Sequence, residues 1–407
     1  MIKDRMIKSF REANGGLFGV SEKADVGTSY QEMAKRGVAL MGWADPYMPD
    51  RSFPDHLKVA FLEALEDPSA SHYTAPVGSS ELKQVIAEKL KKFNKLDVIA
   101  DRNILITPGS DSGLYLAILP FIEKGDEVLI PSPSYPNNYT DVEIMGGKPV
   151  PVLLREEDGY QLDIKVLEEK VTDRTKMLIL THPNNPTTTV YNRRSLEGLR
   201  DLCVKHDLIL VCDQAFEDYT FENEMITPAS LEGMWERTLS VFSYSKGFGL
   251  SGLRVGYIVA CDEIMDSLYA NAVAVIGATS TIAQNALLHV YEDPAVMEEF
   301  AKTFDRRRRK AYEIFKDEEK LSCTMPESGF LFWLDVSKLG DSGKIVSYLL
   351  EKANVSVNDG NNYGPGGKGH LRIVLGVYKD DEVVCDALYR IRDALREYGK
   401  LKDEQKT

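Results

Sequence analysis

Lys246 stands in the run Ser243-Tyr-Ser-Lys-Gly-Phe-Gly-Leu-Ser-Gly-Leu-Arg-Val-Gly256, between two small hydroxyl residues and a glycine-rich stretch, with Arg254 eight positions on. A lysine attacks a carbonyl only through its neutral amine, so this chemistry needs surroundings that lower its pKa. Ser243, Ser245 and Arg254 are residue types that hold an anion. An aldehyde that also carries a phosphate would use both parts of the run. The plainer reading is a surface lysine in a glycine-rich loop, and the rest of the chain decides between the two.

Two further places have the right chemistry. Gly109-Ser-Asp-Ser-Gly113 follows the apolar run Ile104–Thr107 and precedes the apolar run Leu114–Leu119. A strand, a small-residue turn and a helix start together offer backbone N–H groups and the positive end of a helix dipole to an anion. Asp213 ends the run Leu208-Ile-Leu-Val-Cys-Asp213, a carboxylate at the mouth of an apolar strand. Such an aspartate either caps the next turn or serves as partner to a cationic ring.

The elements that must position these groups alternate between residues 50 and 300. Strand candidates are Ile104–Thr107, Glu127–Ser132, Val150–Leu154, Lys176–Thr181, Leu208–Asp213, Thr238–Ser243 and Arg254–Ala260. Several are continuous apolar runs, as strands covered on both faces require. Between them lie helical patterns such as Leu82, Val85, Ile86, Leu90 and Phe93 on one face. This alternation predicts an α/β fold with a mostly parallel sheet, whose ligand gathers at the carboxyl ends of the strands. Asp213 and the turn to Lys246 both fall there. Beyond residue 300 a long helix, the runs Gly329–Asp335 and His370–Leu375, and a closing helix over 380–398 predict a smaller α+β unit. The expected division is a large domain over 51–300 and a small one from 1–50 with 301–407. Residues 360–369 are too glycine-rich for regular structure, and the charged end 400–407 is expected to fray.

Composition narrows the function classes. The 407 residues carry a formal net charge of −14, which argues against nucleic acid or an anionic membrane surface as the main partner. No apolar run approaches the roughly 20 residues of a membrane-spanning helix. The first ten residues lack the apolar segment and cleavage site of a secretory leader. Five cysteines, an odd number without ligand spacing, read as reduced thiols in a cytoplasmic protein, and the six histidines form no metal-binding pair at helical spacing. The cluster Arg306–Lys310 reads as the solvated face of an amphipathic helix that buries Phe300, Phe304, Ala311, Tyr312 and Phe315.

The lysine segment, taken with the order of motifs around it, resembles the class I/II aminotransferases, the fold-type I pyridoxal-phosphate enzymes. The resemblance runs from about residue 25 to 395. It implies a mostly parallel seven-stranded sheet between helices with a smaller α+β domain. It also implies that Lys246 holds pyridoxal 5′-phosphate as a Schiff base and then shuttles a proton. The phosphate would rest on Ser110, Asp111, Ser243, Ser245 and Arg254, with the carboxylate of Asp111 turned away from it. By the same resemblance Tyr135 stacks on the ring, Asn185 in Pro183-Asn-Asn-Pro-Thr187 donates to its phenolic oxygen, and Asp213 keeps its nitrogen protonated. Arg372 would clamp the substrate α-carboxylate, with Ala44 beside it and Trp43 at the entrance. Tyr73 would reach the phosphate of a neighbouring subunit, which makes a homodimer with a composite site.

The chain departs from the family at two positions. Phe216 stands where a tyrosine is usual, leaving Asn185 alone on the phenolic oxygen or Tyr219 as a substitute. Thr188 stands where glycine usually follows Thr187. The implied activity is transfer of an amino group from an L-amino acid to a 2-oxo acid. The alternatives are a C–S β-lyase or decarboxylase on the same cofactor, or a non-catalytic effector-binding domain of this fold. Aspartate at position 111, where some relatives place a lysine for acidic side chains, points to a basic, neutral or aromatic substrate.

Overall fold

A computed structural model describes residues 32–48, 50 and 53–404. Its strands are β1 (Ala39–Leu40), β2 (Ile104–Thr107), β3 (Glu127–Ser132), β4 (Lys148–Leu153), β5 (Thr175–Thr181), β6 (Ile209–Asp213), β7 (Thr238–Ser243), β8 (Gly256–Val259), β9 (Leu331–Asp335), β10 (Val355–Ser356), β11 (Asn358–Asp359) and β12 (His370–Val374). Seven of them form one sheet in the order β2-β8-β7-β6-β5-β3-β4. Neighbours are parallel except where β8 runs against β7 and β2. β2, β3, β5, β6, β7 and β8 are almost wholly buried, because helices cover both faces. This is the mostly parallel α/β sheet that the apolar runs predict, with edges shifted by a residue or two.

The reversal of β8 matters for the site. β7 ends at Ser243, and the chain turns back through residues 244–255 to enter β8 beside it, with Ser243 opposite Gly256. A strand that returns directly puts its start at the edge where its neighbour ends. The segment from Lys246 to Arg254 is therefore held at the carboxyl edge of the sheet, with the ends of β2, β3, β5 and β6.

Residues beyond 300 build the antiparallel sheet β11-β12-β9, while β1 pairs with β10 in parallel. A separate apolar cluster fills this part, with Phe315, Phe332, Leu334, Ile345, Leu371 and Ile391 among its members and Ala39 and Met41 joining from the early chain.

Four sequence expectations need correction. On the helix Ser80–Lys89, Leu82 and Ile86 are buried, but Val85 is half-buried. A wider turn over Leu90–Asn94 then carries Phe93 out to 59% exposure, because its changed pitch rotates the apolar stripe off the core. The arginine cluster is a solvated face only in part: Arg306, Arg309 and Lys310 are exposed. In the helix Pro294–Phe315, Arg307 and Arg308 are buried. Arg307 pairs with Asp381 at 2.7 Å and donates to the carbonyls of Leu375, Tyr378 and Lys379, while Arg308 bonds the Pro326 carbonyl and the Asp305 carboxylate. Each guanidinium is fully used as a fork of donors, which is how a buried charge is tolerated. Residues 360–369 hold two 3₁₀ turns, Gly360–Tyr363 and Pro365–Gly367, around a fully buried Tyr363. The closing helix runs Asp381–Glu404, so 400–404 are helical; residues 405–407, like the expected leaderless start, lie outside the described residues.

Candidate active site

Lys246 sits in a single short turn of helix, Tyr244–Gly247, directly after β7. The hydroxyl of Ser243 caps this turn by accepting the Ser245 N–H at 3.1 Å. That bond commits Ser243 to the backbone, and it does not line the cavity that Lys246 enters. The cavity holds about 330 Å³ and is bordered by Ser110, Asp111, Tyr135, Asn185, Asp213, Ser245, Lys246, Arg254, Arg372 and Ala44. Ten residues from seven segments of the chain thus converge on one space.

One end of the cavity is shaped for an anion. The helix Gly109–Ile118 starts there, and Pro108 before it supplies no side-chain cap, so its first N–H groups are open to a ligand. Gly109 has φ +82°, and a Cβ on it would come within 2.4 Å of the Arg254 guanidinium. A Cβ on Gly256 would lie 2.8 Å from the Ser110 nitrogen and 2.7 Å from the Phe242 carbonyl. The positive φ favours glycine at 109 and the backbone approach requires it at 256, and the arrangement brings Arg254 and the helix start together. Asp111 turns its carboxylate to the Tyr135 hydroxyl at 2.9 Å and the Asn137 amide at 3.2 Å, with an Arg254 nitrogen 3.6 Å away.

The other groups are arranged around Lys246. Its Nζ donates to the Ala44 carbonyl at 2.5 Å, and burial lowers its pKa from 10.5 to about 8, with Asp45 opposing that shift and Arg372 reinforcing it. Asp213 is 4% exposed and accepts the Ala215 N–H at 3.1 Å; burial raises its pKa to about 7. Arg372 is 1% exposed, lies 5.2 Å from the Tyr363 ring, and among the described residues hydrogen-bonds only to neutral oxygens. These are Asn358 Oδ1 at 2.7 and 3.0 Å, Asn185 Oδ1 at 3.1 Å and the Gly42 carbonyl at 3.3 Å. Among the described residues no carboxylate pairs with it. A buried guanidinium without a counter-charge is costly unless an anion completes it.

Two departures from the family pattern are resolved by geometry. Phe216 lines the cavity, whereas the Tyr219 hydroxyl donates to the Gly247 carbonyl and its ring packs against Phe304. Tyr219 therefore does not substitute for the missing hydroxyl. Thr188 adopts φ +65°, a left-handed conformation that β-branched residues rarely take. Its N–H bonds the Asn184 carbonyl at 2.8 Å, its carbonyl accepts from Ser328 at 2.8 Å, and its hydroxyl accepts the Glu327 N–H at 3.3 Å. The loop keeps a glycine-like conformation because its surroundings over-determine it.

Tyr73 is not in this cavity. It is 96% exposed and lies beside another surface hollow with Thr74, Ser79 and Asn285. The sequence gives Asp45 no role, although it stands between Ala44 and Pro46 beside two residues expected at the site. Asp45 borders the cavity, accepts the Ser251 hydroxyl at 2.6 Å and the Trp43 indole N–H at 3.4 Å, and is the strongest charge acting on Lys246. Ser251 and Gly252 also border it, from the glycine-rich stretch already noted.

Comparison with known proteins gives one answer. The family model "Aminotransferase class I and II" matches residues 42–388. An aspartate aminotransferase of Pyrococcus abyssi is 33% identical over 354 residues, covering 86% of this chain and 90% of its own length. Aromatic-amino-acid aminotransferase 2 of Thermococcus litoralis is 32% identical, covering 87% and 92%. The crystal structure of an aromatic aminotransferase from Pyrococcus horikoshii superposes with a TM-score of 0.84 at 31% identity, over 90% of this chain and 98% of that one. The residues present suit the cofactor of such enzymes. The glycine-walled helix start fits a phosphate, and the buried, poorly ionised Asp213 fits a cationic ring nitrogen. The partly neutral Lys246 fits an aldehyde. This chain belongs to the class I and II aminotransferases and is a pyridoxal-phosphate-dependent transaminase.

Proposed function

We propose that Lys246 is the residue that binds the cofactor covalently and that the cavity around it takes an L-amino acid and a 2-oxo acid in turn. The observation that carries this reading is Arg372, a buried guanidinium with neutral partners only, in the same cavity as the lysine. Pyridoxal phosphate, when bound, supplies an aldehyde for the amine and a ring that accepts the electron pair left as Cα loses its proton. The helix start at Ser110 and Asp111, with Ser245 and Arg254, holds the phosphate. Ser243 acts one step back, fixing the turn that carries Ser245. Asp213 holds the proton on the ring nitrogen, and that positive charge in turn favours its ionised form. Tyr135 covers the ring and Asn185 donates to its oxygen. Arg372 takes the substrate α-carboxylate bidentately beside Ala44, which fixes the direction of the Cα–H bond. Lys246 Nζ, as a neutral amine, then accepts the Cα proton and returns it.

Two carboxylates, Asp45 and Asp111, border the cavity, so we read the substrate side chain as basic, neutral or aromatic. Two of the relatives named above carry aspartate and aromatic amino acids in their names, and only the second agrees with this reading. Tyr73 is 96% exposed, free to reach a second chain, and this supports a homodimer in which it completes the partner's site. The separate apolar cluster of the late residues supports a large domain over 51–300 and a small one from 1–50 with 301–407. The five cysteines are free thiols, which supports the cytoplasm as compartment, and no described helix is long and apolar enough to cross a membrane.

The test is the absorbance of the purified holoenzyme during addition of single amino acids without an oxo acid. Transamination at Lys246 consumes the lysine-bound cofactor band, and an oxo acid restores it. A band that survives while ammonia or carbon dioxide accumulates would give the β-lyase or decarboxylase reading instead. The missing hydroxyl at Phe216 is the feature that would favour that outcome.

A further inference from the structure

A second cluster of chemically capable groups lies away from the cavity, between the two main sheets. Glu156 sits in the turn Glu156–Asp158 that follows β4 of the large sheet. Asp335 ends β9, and His370 begins β12 directly opposite it in the antiparallel ladder. One ligand atom from each lies within 4.8 Å of the others. We propose that Glu156, Asp335 and His370 bind a divalent transition-metal ion of the zinc class, which ties the turn after β4 to the β9–β12 ladder.

The orientation of each group supports this. His370 Nδ1 lies 3.0 Å from the Lys368 carbonyl, so Nδ1 carries the proton, and the Nε2 lone pair faces only the Tyr160 hydroxyl at 3.5 Å, a long contact that an ion would replace. Metal-binding imidazoles are set by this kind of backbone bond. The ring stacks on Trp333 with centroids 4.9 Å apart and planes 8° from parallel, which fixes its plane. Glu156 is held through Oε1 by the Ser322 hydroxyl at 2.6 Å, and Asp335 through Oδ1 by the Ser337 N–H at 2.6 Å. The second oxygen of each carboxylate receives no donor among the described residues.

Among the described residues no lysine or arginine forms an ion pair with Glu156 or Asp335, and His370 forms none with either. Zinc bonds of about 2.0–2.2 Å place tetrahedral ligands roughly 3.3–3.6 Å apart. The three ligand atoms, within 4.8 Å of one another, draw together by about 1 Å to share such an ion. Imidazole with two carboxylates suits zinc or manganese better than calcium or magnesium. The site escapes sequence inspection because its ligands come from three distant segments, with no local spacing to mark them.

The experiment uses the cofactor-loaded enzyme, dialysed against a chelator and then titrated calorimetrically with Zn²⁺ in phosphate-free buffer. The expected result is one Zn²⁺ per chain and a raised unfolding temperature in its presence. His370→Ala and Glu156→Gln should each weaken uptake by more than the roughly 10–100-fold that losing an outer-shell partner costs. Glu156→Gln keeps an oxygen for Ser322, and its unfolding temperature without metal checks that it folds as the native enzyme does. No stoichiometric uptake by the native enzyme would overturn the proposal. Uptake unchanged in both variants would also overturn it, by placing the metal at the thiols or the cofactor phosphate.

Discussion

The lowered pKa of Lys246 has a consequence that can be measured before any substrate is added. A fall from 10.5 to about 8 raises the neutral fraction at pH 7 from about 0.03% to about 9%, roughly a 300-fold gain in nucleophile. The first cause is burial; Asp45 pulls the other way and Arg372 adds to it. In the cofactor-free protein, the rate of pyridoxal phosphate capture should therefore rise with pH to an inflection near 8. Asp45→Asn removes the largest opposing charge and should move that inflection lower, while an asparagine oxygen can still accept from Ser251. The same shift appears in stability. The unfolded chain keeps its lysine proton up to about 10.5 whereas the folded chain loses it near 8, so stability increases with pH between the two. Below pH 8 the charged, buried lysine costs about 3 kcal/mol, from about 1.4 kcal/mol per pH unit. A Lys246→Met cofactor-free variant, with a similar stem and no charge, should be more stable than the native protein by up to that amount at pH 7. The gap should close by about pH 10.5. Denaturant unfolding of the two proteins across this range gives the difference directly. A constant gap, or a capture rate inflecting near 10, would refute the argument that burial of Lys246 controls its reactivity.

Other expectations follow from single contacts. Arg372→Lys keeps a charge but loses the planar fork, and should lower kcat/KM for amino acids by about 100- to 1000-fold. An amine substrate without a carboxylate should be far less affected, and an equal loss for both would show that Arg372 is structural. Thr188→Gly relieves about 1–2 kcal/mol of left-handed strain. It also forfeits a bond to the Glu327 N–H worth about 1 kcal/mol, a buried methyl worth about 0.8 kcal/mol and about 0.5–1 kcal/mol of backbone entropy. The net is a destabilisation of about 1 kcal/mol, so a gain in urea midpoint would mean that the strain is larger than the contacts holding it. Phe216→Tyr restores a hydroxyl in the cavity and should lower the pH at which the lysine-bound cofactor changes its absorbance. Tyr219→Phe should leave that pH unchanged, because the Tyr219 hydroxyl is spent on Gly247. Equal titrations for native and Phe216→Tyr proteins would remove the basis for assigning a role to position 216.

Local pattern was enough for the large sheet. Runs such as Ile104–Thr107 and Thr238–Ser243 must be covered on both faces, and an apolar strand announces this by composition alone. It was enough, too, for the motifs around Lys246, since Gly109 has a positive φ and Gly256 is closely approached by backbone. Pattern failed where a residue's environment comes from distant chain. Arg307 and Arg308 look solvated in sequence, yet carbonyls at 375, 378, 379 and 326 receive them. Phe93 looks buried until a change of helical pitch turns it outward. Tyr219 looked able to replace a hydroxyl at 216 until its bond to Gly247 showed it facing elsewhere.

The division has a physical basis. Residue type and short-range spacing indicated which segments form strands and marked Lys246 as a candidate nucleophile. These depend on steric and solvation preferences within a few residues of chain. Only the tertiary structure decided that Asp45 bears on Lys246, that Arg372 meets no carboxylate among the described residues, and that His370 lies close to Asp335 and Glu156. Charge and burial are set by what packs across space, and the groups concerned are brought together from segments up to hundreds of residues apart.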